Sequence, residues 1–222
     1  VALDVINSGT PLLIEKPLAL NVSDAESIVE AANLAGVTLS VGHIERHNPI
    51  VSYAKKAIEK GVWGNLITLS SKRVSSYPNR IKDVGVLLDL STHDIDIALY
   101  LSDSPAKSVF ASGGSIKGNF EDHANFIFTH ESDVKSMFEV NWLTPMKIRK
   151  LGITTMTHYV EIDYQNQSGR IFKSSYKDID EGNLYTTRLE LSDEVIKIKK
   201  SEPLLEEIKD FISIKITTSV RE

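Results

Sequence analysis

Residues 12–43 read LLIEKPLALNVSDAESIVEAANLAGVTLSVGH, and the order of patterns in this stretch decides the fold. Leu12-Leu13-Ile14 is a short apolar run of the buried-strand kind, cut off at Glu15-Lys16-Pro17. Asn21 to Ala35 follows with apolar residues at helical spacing: Ala25, Ile28, Val29, Ala32 and Leu34. Ser23 is the expected N-cap, with Glu26 three residues on as its capping-box partner, and Gly36 is the expected stop. Val37 to Val41 is a second short strand, ending at Gly42. Strand, helix and strand at this spacing predict a βαβ unit with two parallel strands. Ligand chemistry in such sheets lies beyond the carboxyl ends of the strands. Glu15-Lys16-Pro17 and Gly42-His43 both fall there.

On the N-terminal side, Val1 to Ser8 reads as the last turns of a helix closed by Gly9. On the C-terminal side, Pro49 to Lys60 predicts a helix stopped at Gly61, Leu66 to Ser76 a long strand, and Val84 to Leu101 a helix with Leu88, Ile95, Ala98 and Leu99 on its apolar side. After Pro105 the character changes. Strand-like runs cover 108–113, 124–129, 135–142, 148–155, 158–164, 170–174, 187–191 and 195–199, with short polar connections such as Asn166-Gln167-Ser168-Gly169 and Ser192-Asp193. Pro203 to Ile214 returns to helix. The expected class is α/β with an α+β C-terminal part: a large, mainly antiparallel open sheet with helices on one face. The other face is then a candidate surface for a homodimer or homotetramer.

The chain has 222 residues, enough for one large domain or two small ones. Its composition, 41% hydrophobic and 25% charged, is that of a globular protein. A net charge of −5 argues against nucleic acid or an anionic membrane as a general partner. The absence of cysteine removes disulfides, thiolate metal sites and a cysteine nucleophile, and fits a cytoplasmic protein. No apolar run reaches the roughly 20 residues needed to span a bilayer, and the start lacks the basic and apolar regions of a signal peptide.

The densest polar cluster is Asp89-Leu90-Ser91-Thr92-His93-Asp94-Ile95-Asp96, set inside an otherwise apolar helix. On an α-helix Asp89 and His93, at i and i+4, share a face with Cβ atoms roughly 6 Å apart. A carboxylate beside an imidazole favours its charged form and orients it, which suits proton transfer near neutral pH. The competing reading is a polar helix face, and a buried charged pair there carries a desolvation cost. Lys16, restricted by the following proline, stands where it can hydrogen-bond a substrate hydroxyl; the alternative is an exposed turn lysine. His43 and His47 have a spacing that binds metal on an α-helix, but Pro49 argues that helix begins only near Asn48. Lys72, Arg73, Arg80 and Lys82 are open to two readings, a solvated patch or recognition of a substrate phosphate or carboxylate, and Arg46 to contact with an anionic ligand or pairing with a carboxylate.

Together these residues resemble the glucose-fructose oxidoreductase / inositol dehydrogenase / rhizopine-catabolism (Gfo/Idh/MocA) family. That family has Glu-Lys-Pro at a Rossmann strand end, then Gly-His-x-x-Arg-x-x-Pro, then Asp-x-x-x-His before a large open sheet. The corresponding segments are Glu15-Lys16-Pro17, Gly42 to Pro49, and Asp89 to His93, with the late helix opening at Glu202-Pro203-Leu204. The run from Arg80 to Gly85, with Asp89 to Asp96, looks most like UDP-N-acetylglucosamine 3-dehydrogenases. The chain departs from the family in carrying one glycine, Gly85, in the stretch before the Asp–His helix, and serine at position 91 where glycine is frequent.

The resemblance implies an NAD- or NADP-dependent dehydrogenase acting on a sugar, sugar nucleotide or cyclitol, a small-molecule substrate. It implies catalytic roles for Lys16, Asp89 and His93, and cofactor contacts from Glu15, Lys16, Pro17 and His43. Substrate contacts are implied for Arg46, Arg73, Arg80, Asp89 and His93, with no metal. It further implies that 1–42 is the tail of a Rossmann dinucleotide-binding domain and 43–222 a substrate and oligomerisation domain. The glycine fingerprint is absent from these residues, and roughly 90 preceding residues, with a closing helix, are expected to complete the pair. Two other readings remain at this point: a non-catalytic sugar-binding or assembly member of the same family, and a metal-dependent hydrolase using His43, His47, His93 and Asp96.

Overall fold

The computed structural model describes residues 1–78, 81, 83–178 and 187–219. It divides into two compact units, Val1–Asn48 with Ser201–Glu222, and Pro49–Lys200. By compactness the chain returns at residue 201 to the unit where it started, a long-range event that local pattern does not signal.

In the first unit, α1 (Ala2–Asn7), β1 (Leu12–Glu15), α2 (Val22–Ala35) and β2 (Leu39–Gly42) form the expected βαβ arrangement. The strands are parallel and in register from Leu12 opposite Leu39 to Glu15 opposite Gly42. The N-cap of α2 is Asn21 rather than Ser23: its side-chain oxygen accepts the Asp24 amide at 2.8 Å, and its amide nitrogen donates to the Asp24 carboxylate at 2.7 Å. Both residues are good caps; asparagine, two positions earlier, takes the role and lengthens the helix. Gly36 ends α2 in the left-handed conformation, as a helix stop requires. After β2 comes a single 3-10 turn, Ile44–His47, and α5 (Pro203–Ser219) packs against it.

The second unit begins with α3 (Pro49–Glu59) and β3 (Leu66–Val74). A π-helical turn, Leu87–Ser91, then leads into α4 (Thr92–Ser102). Seven strands follow: β4 (Ala106–Gly114), β5 (His123–His130), β6 (Lys135–Asn141), β7 (Ile148–Thr155), β8 (Tyr159–Asp163), β9 (Ser168–Asp178) and β10 (Thr187–Val195). They join β3 in one eight-stranded sheet of order β10-β9-β8-β7-β3-β6-β5-β4. Every neighbouring pair is antiparallel except β3 with β6. The two strands expected at 187–191 and 195–199 are instead one, Thr187–Val195: Ser192-Asp193 stays paired with Lys173 and Phe172, and Asp193 meets Arg170 at 3.4 Å.

Alternation along the strands sorts the side chains. Leu69, Phe126, Phe138, Val140, Leu151, Ile153, Val160 and Ile162 are buried, and they pack with Ile50, Val51, Ala54, Ile97 and Leu101 of the two helices. Phe110, Ile127 and Met137 stand in register across β4, β5 and β6 on the open side. Phe110 is 74% exposed.

Arg73 points into the covered face. Its Nε and Nη2 donate to Asp94 of α4 at 2.7 and 3.2 Å, and both side chains are 1% exposed. The guanidinium carbon also sits 5.3 Å over the Tyr164 ring. Removing one partner of such a pair strands a buried charge. Arg73→Met is therefore expected to lower unfolding free energy by about 3–5 kcal/mol in urea titrations. Asp94→Leu added to it should return part of the loss, and an additive double variant would contradict this account.

Candidate active site

The candidate residues fall into two groups, one in each unit. In the first unit, β1 ends at Glu15, and Lys16 and Pro17, both half-buried, follow it through a cis Lys16–Pro17 peptide. Beside it, β2 ends at Gly42, and half-buried His43 leads into the 3-10 turn that holds Arg46. A Cβ at Gly42 would lie 3.3 Å from the Glu15 Cα, Cδ and Oε2 atoms, so the missing side chain is what lets Glu15 lie across the strand end. The turn is tied by the Arg46 amide donating to the His43 carbonyl at 3.0 Å, and by the Asn48 side chain donating to buried Glu45 at 3.3 Å. In a 3-10 turn residues at i and i+3 align, not i and i+4, so His43 and His47 do not share a face as the metal reading needs. No group of three or more His, Cys, Asp or Glu side chains able to hold a metal ion occurs among the described residues.

One residue of this group was not legible. Glu207 of α5 is 3% exposed, and neither of its carboxyl oxygens has a hydrogen-bond partner. Burial, and then the charge of Glu15, push its carboxyl above the ordinary range. The sequence shows a glutamate in an amphipathic helix; only the return of α5 to the first unit buries it. A group with a raised folded value contributes stability below the ordinary carboxylate range and loses it as pH rises through the raised value. Glu207→Gln keeps the shape without the ionisation. Its melting temperature should therefore exceed the parent's at pH 8 and converge with it near pH 4; parallel curves would show that Glu207 ionises normally.

In the second unit, Asp89 and His93 are both half-buried, on consecutive turns of one helical stretch. The sequence predicts a continuous α-helix, and the structure differs: Asp89 lies in the π-turn and His93 in the first turn of α4. Hydroxyls account for part of that widening. Ser91 Oγ donates to the Leu87 carbonyl at 2.6 Å and Thr92 Oγ1 to that of Leu88 at 3.2 Å, so side chains bond carbonyls at the wide turn. Such single wide turns recur at functional sites. Asp94 and Asp96, the other acids of the cluster, are buried, and Asp94 holds Arg73. Arg73, expected at a substrate, is thus placed in the core with its guanidinium turned onto Asp94. Arg80 and Lys82 lie outside the described residues.

Two stretches of the chain match models of known families. Residues 1–43 match the family model described as the oxidoreductase family with an NAD-binding Rossmann fold, and 51–160 match the GFO/IDH/MocA C-terminal domain. The chain belongs to the Gfo/Idh/MocA oxidoreductase family. Within that family it is 25% identical over 213 residues, 96% of its length, to a UDP-N-acetylglucosamine 3-dehydrogenase of Acidithiobacillus ferrooxidans. It is 30% identical over 166 residues, 70% of its length, to a D-apiose dehydrogenase of Paraburkholderia graminis. It spans 65% of the first relative and 43% of the second. Among solved structures, the Acidithiobacillus enzyme superposes with a TM-score of 0.83 at 24% identity, covering 98% of this chain and 66% of that one. The WlbA dehydrogenase of Bordetella pertussis, solved with NADH and UDP-GlcNAcA, gives 0.68 at 24% identity over 72% of this chain and 51% of that one.

The residues present fit an NAD-type cofactor: a lysine, an imidazole and a side-chain-free glycine stand at the carboxyl ends of two parallel strands. A Gly-x-Gly-x-x-Gly fingerprint for the phosphates does not occur in the sequence.

Proposed function

We propose that the chain carries the reacting groups of an NAD(P)-dependent dehydrogenase that oxidises a secondary hydroxyl of a sugar-type substrate, with a sugar nucleotide as first candidate. The family match carries the reading, because it covers both the Lys16 strand end and the helix of Asp89 and His93. The nucleotide preference is supported by the relative that aligns over 96% of the chain. When bound, the nicotinamide supplies the acceptor for the hydride lost by the substrate carbon. Lys16 is assigned to the hydroxyl oxygen, where an ammonium stabilises developing negative charge. His93 takes the hydroxyl proton, and Asp89 binds the substrate and orients the imidazole. Glu15, Pro17 and His43 line the cofactor side, and Arg46 is assigned to substrate.

The full-length protein, given NAD+ or NADP+ and UDP-N-acetylglucosamine, myo-inositol or simple sugars, should develop the absorbance of reduced nicotinamide. Lys16→Ala and His93→Ala should each reduce kcat/KM by about 10²–10⁴-fold. Unchanged rates in both variants would refute the residue assignments, and ligand binding with no turnover would favour a non-catalytic family member.

The open sheet face is assigned to a second copy of the chain, since it aligns Phe110, Ile127 and Met137 with no covering helix among the described residues of its own unit. Light scattering should give a dimer or tetramer that Phe110→Lys shifts towards monomer; a monomeric parent would refute it.

A further inference from the structure

We infer that Glu121 is a positioning residue for the π-turn that carries Asp89, and that Gly85 is glycine to make room for it. The inference rests on the reading of Asp89 and His93 as reacting groups.

The first amides of a helical stretch have no partner within it. Val86, at the start of the π-turn, supplies no side-chain cap. A residue 34 positions beyond Leu87 supplies the cap instead. The Val86 amide donates to the Glu121 carbonyl at 2.8 Å, and the Leu87 amide donates to Glu121 Oε1 at 3.2 Å. Backbone and side chain of one residue thereby hold two successive amides, two residues before Asp89. The Asp89 amide donates back to the Gly85 carbonyl at 3.1 Å, so Gly85, Glu121 and Asp89 belong to one bonded turn.

Gly85 fits the same arrangement. Its φ lies outside the left-handed region, so backbone conformation does not demand glycine. A Cβ built there would fall within the Glu121 carboxylate. That carboxylate ends a flexible side chain, so Gly85→Ala can be accommodated only by moving it off the Leu87 amide.

The end of the β4–β5 loop that bears Glu121 is itself fixed. Asp122 is fully buried; its Oδ2 accepts the Ile116 and Lys117 amides at 2.8 and 2.7 Å, and its Oδ1 meets His123 Nδ1 at 2.9 Å. Its own amide donates to Gly114 at 3.0 Å, and its carbonyl accepts from Trp142 at 2.9 Å. Glu121 therefore transmits the position of β5 to the turn of Asp89.

The test uses Glu121→Ala, Glu121→Gln, Gly85→Ala and the Gly85→Ala/Glu121→Ala double variant of the full-length protein, assayed well below their melting temperatures. Glu121→Ala is expected to lower kcat by about 10- to 100-fold, the scale of a misplaced reacting group, with the KM for nicotinamide cofactor unchanged. Glu121→Gln keeps an acceptor oxygen and should restore most of the rate. Gly85→Ala should match Glu121→Ala, and the double variant should be no worse than either single one. Parental kcat in Glu121→Ala, or multiplying single effects, overturns the inference. A parent protein that oxidises no sugar sinks the functional reading instead. Amide exchange then decides the positioning: Leu87 and Asp89 protected in the parent and Glu121→Gln but not in Glu121→Ala or Gly85→Ala supports it, and equal exchange in all four overturns it.

Discussion

The ion pair between Arg73 and Asp94 joins the middle of the sheet to the helix that carries His93. β3 lies fifth of eight strands and makes the sheet's one parallel pairing, so it is bonded on both sides along most of its length. Asp94 is the residue after His93. Two hydrogen bonds from a planar fork fix orientation as well as distance, so α4 has one rotational setting over the sheet. A pair this deeply buried need not add stability relative to an apolar pair of the same shape. What it supplies is a single register between helix and sheet, and the placement of His93 follows from it.

Positioning of Asp89 comes from elsewhere. Its turn is wider than α-helical and lies ahead of the Arg73 contact, so the ion pair does not reach it. Glu121 and the hydroxyls of Ser91 and Thr92 bond the turn at its amide and carbonyl sides. The two residues assigned to the chemistry are thus held by different partners on one covalent stretch. A change on the sheet side of α4 and a change at the β4–β5 loop should therefore disturb them separately.

Local pattern carried the features that depend on neighbours in sequence. The βαβ unit followed from an apolar run, a helical period and a second run; the strand end at Lys16-Pro17 and the stop at Gly36 followed from proline and glycine chemistry. The mainly antiparallel sheet followed from alternation and short polar connections. The features that failed to show depend on distant pairs. Arg73 reads as a surface cation until Asp94, 21 residues away, is known to meet it. Gly85 reads as a lone glycine, Glu121 as a loop acid and Glu207 as a helix-surface acid, because each is defined by a residue far along the chain. Even the local misreadings have this character: Ser192-Asp193 looks like a turn, yet an edge strand tolerates polar residues when its partner strand continues beside it.

The buried acids show how one chain handles a common cost in different ways. An ionised carboxylate taken from water needs donors or a cation in return. Asp94 has a guanidinium, and Asp122 has two amides and an imidazole. Burial alone would raise the Asp122 carboxyl, but those donors outweigh it and hold the group below its ordinary range. Glu207 has no such bonds at its oxygens and lies near another acid, so a proton is its means of compensation. The two solutions have opposite linkage. Asp122 contributes stability that is present above the ordinary aspartate range and is lost as pH falls through its depressed value. Glu207 contributes stability that is present below the ordinary glutamate range and is lost as pH rises through its raised value. Acid therefore loosens the loop next to Glu121, in the second unit, and alkali loosens the helix packed on the Ile44–His47 turn, in the first. The two units lose their supports at opposite ends of the pH scale because their buried carboxyls are balanced by different things, fixed donors in one and a proton in the other.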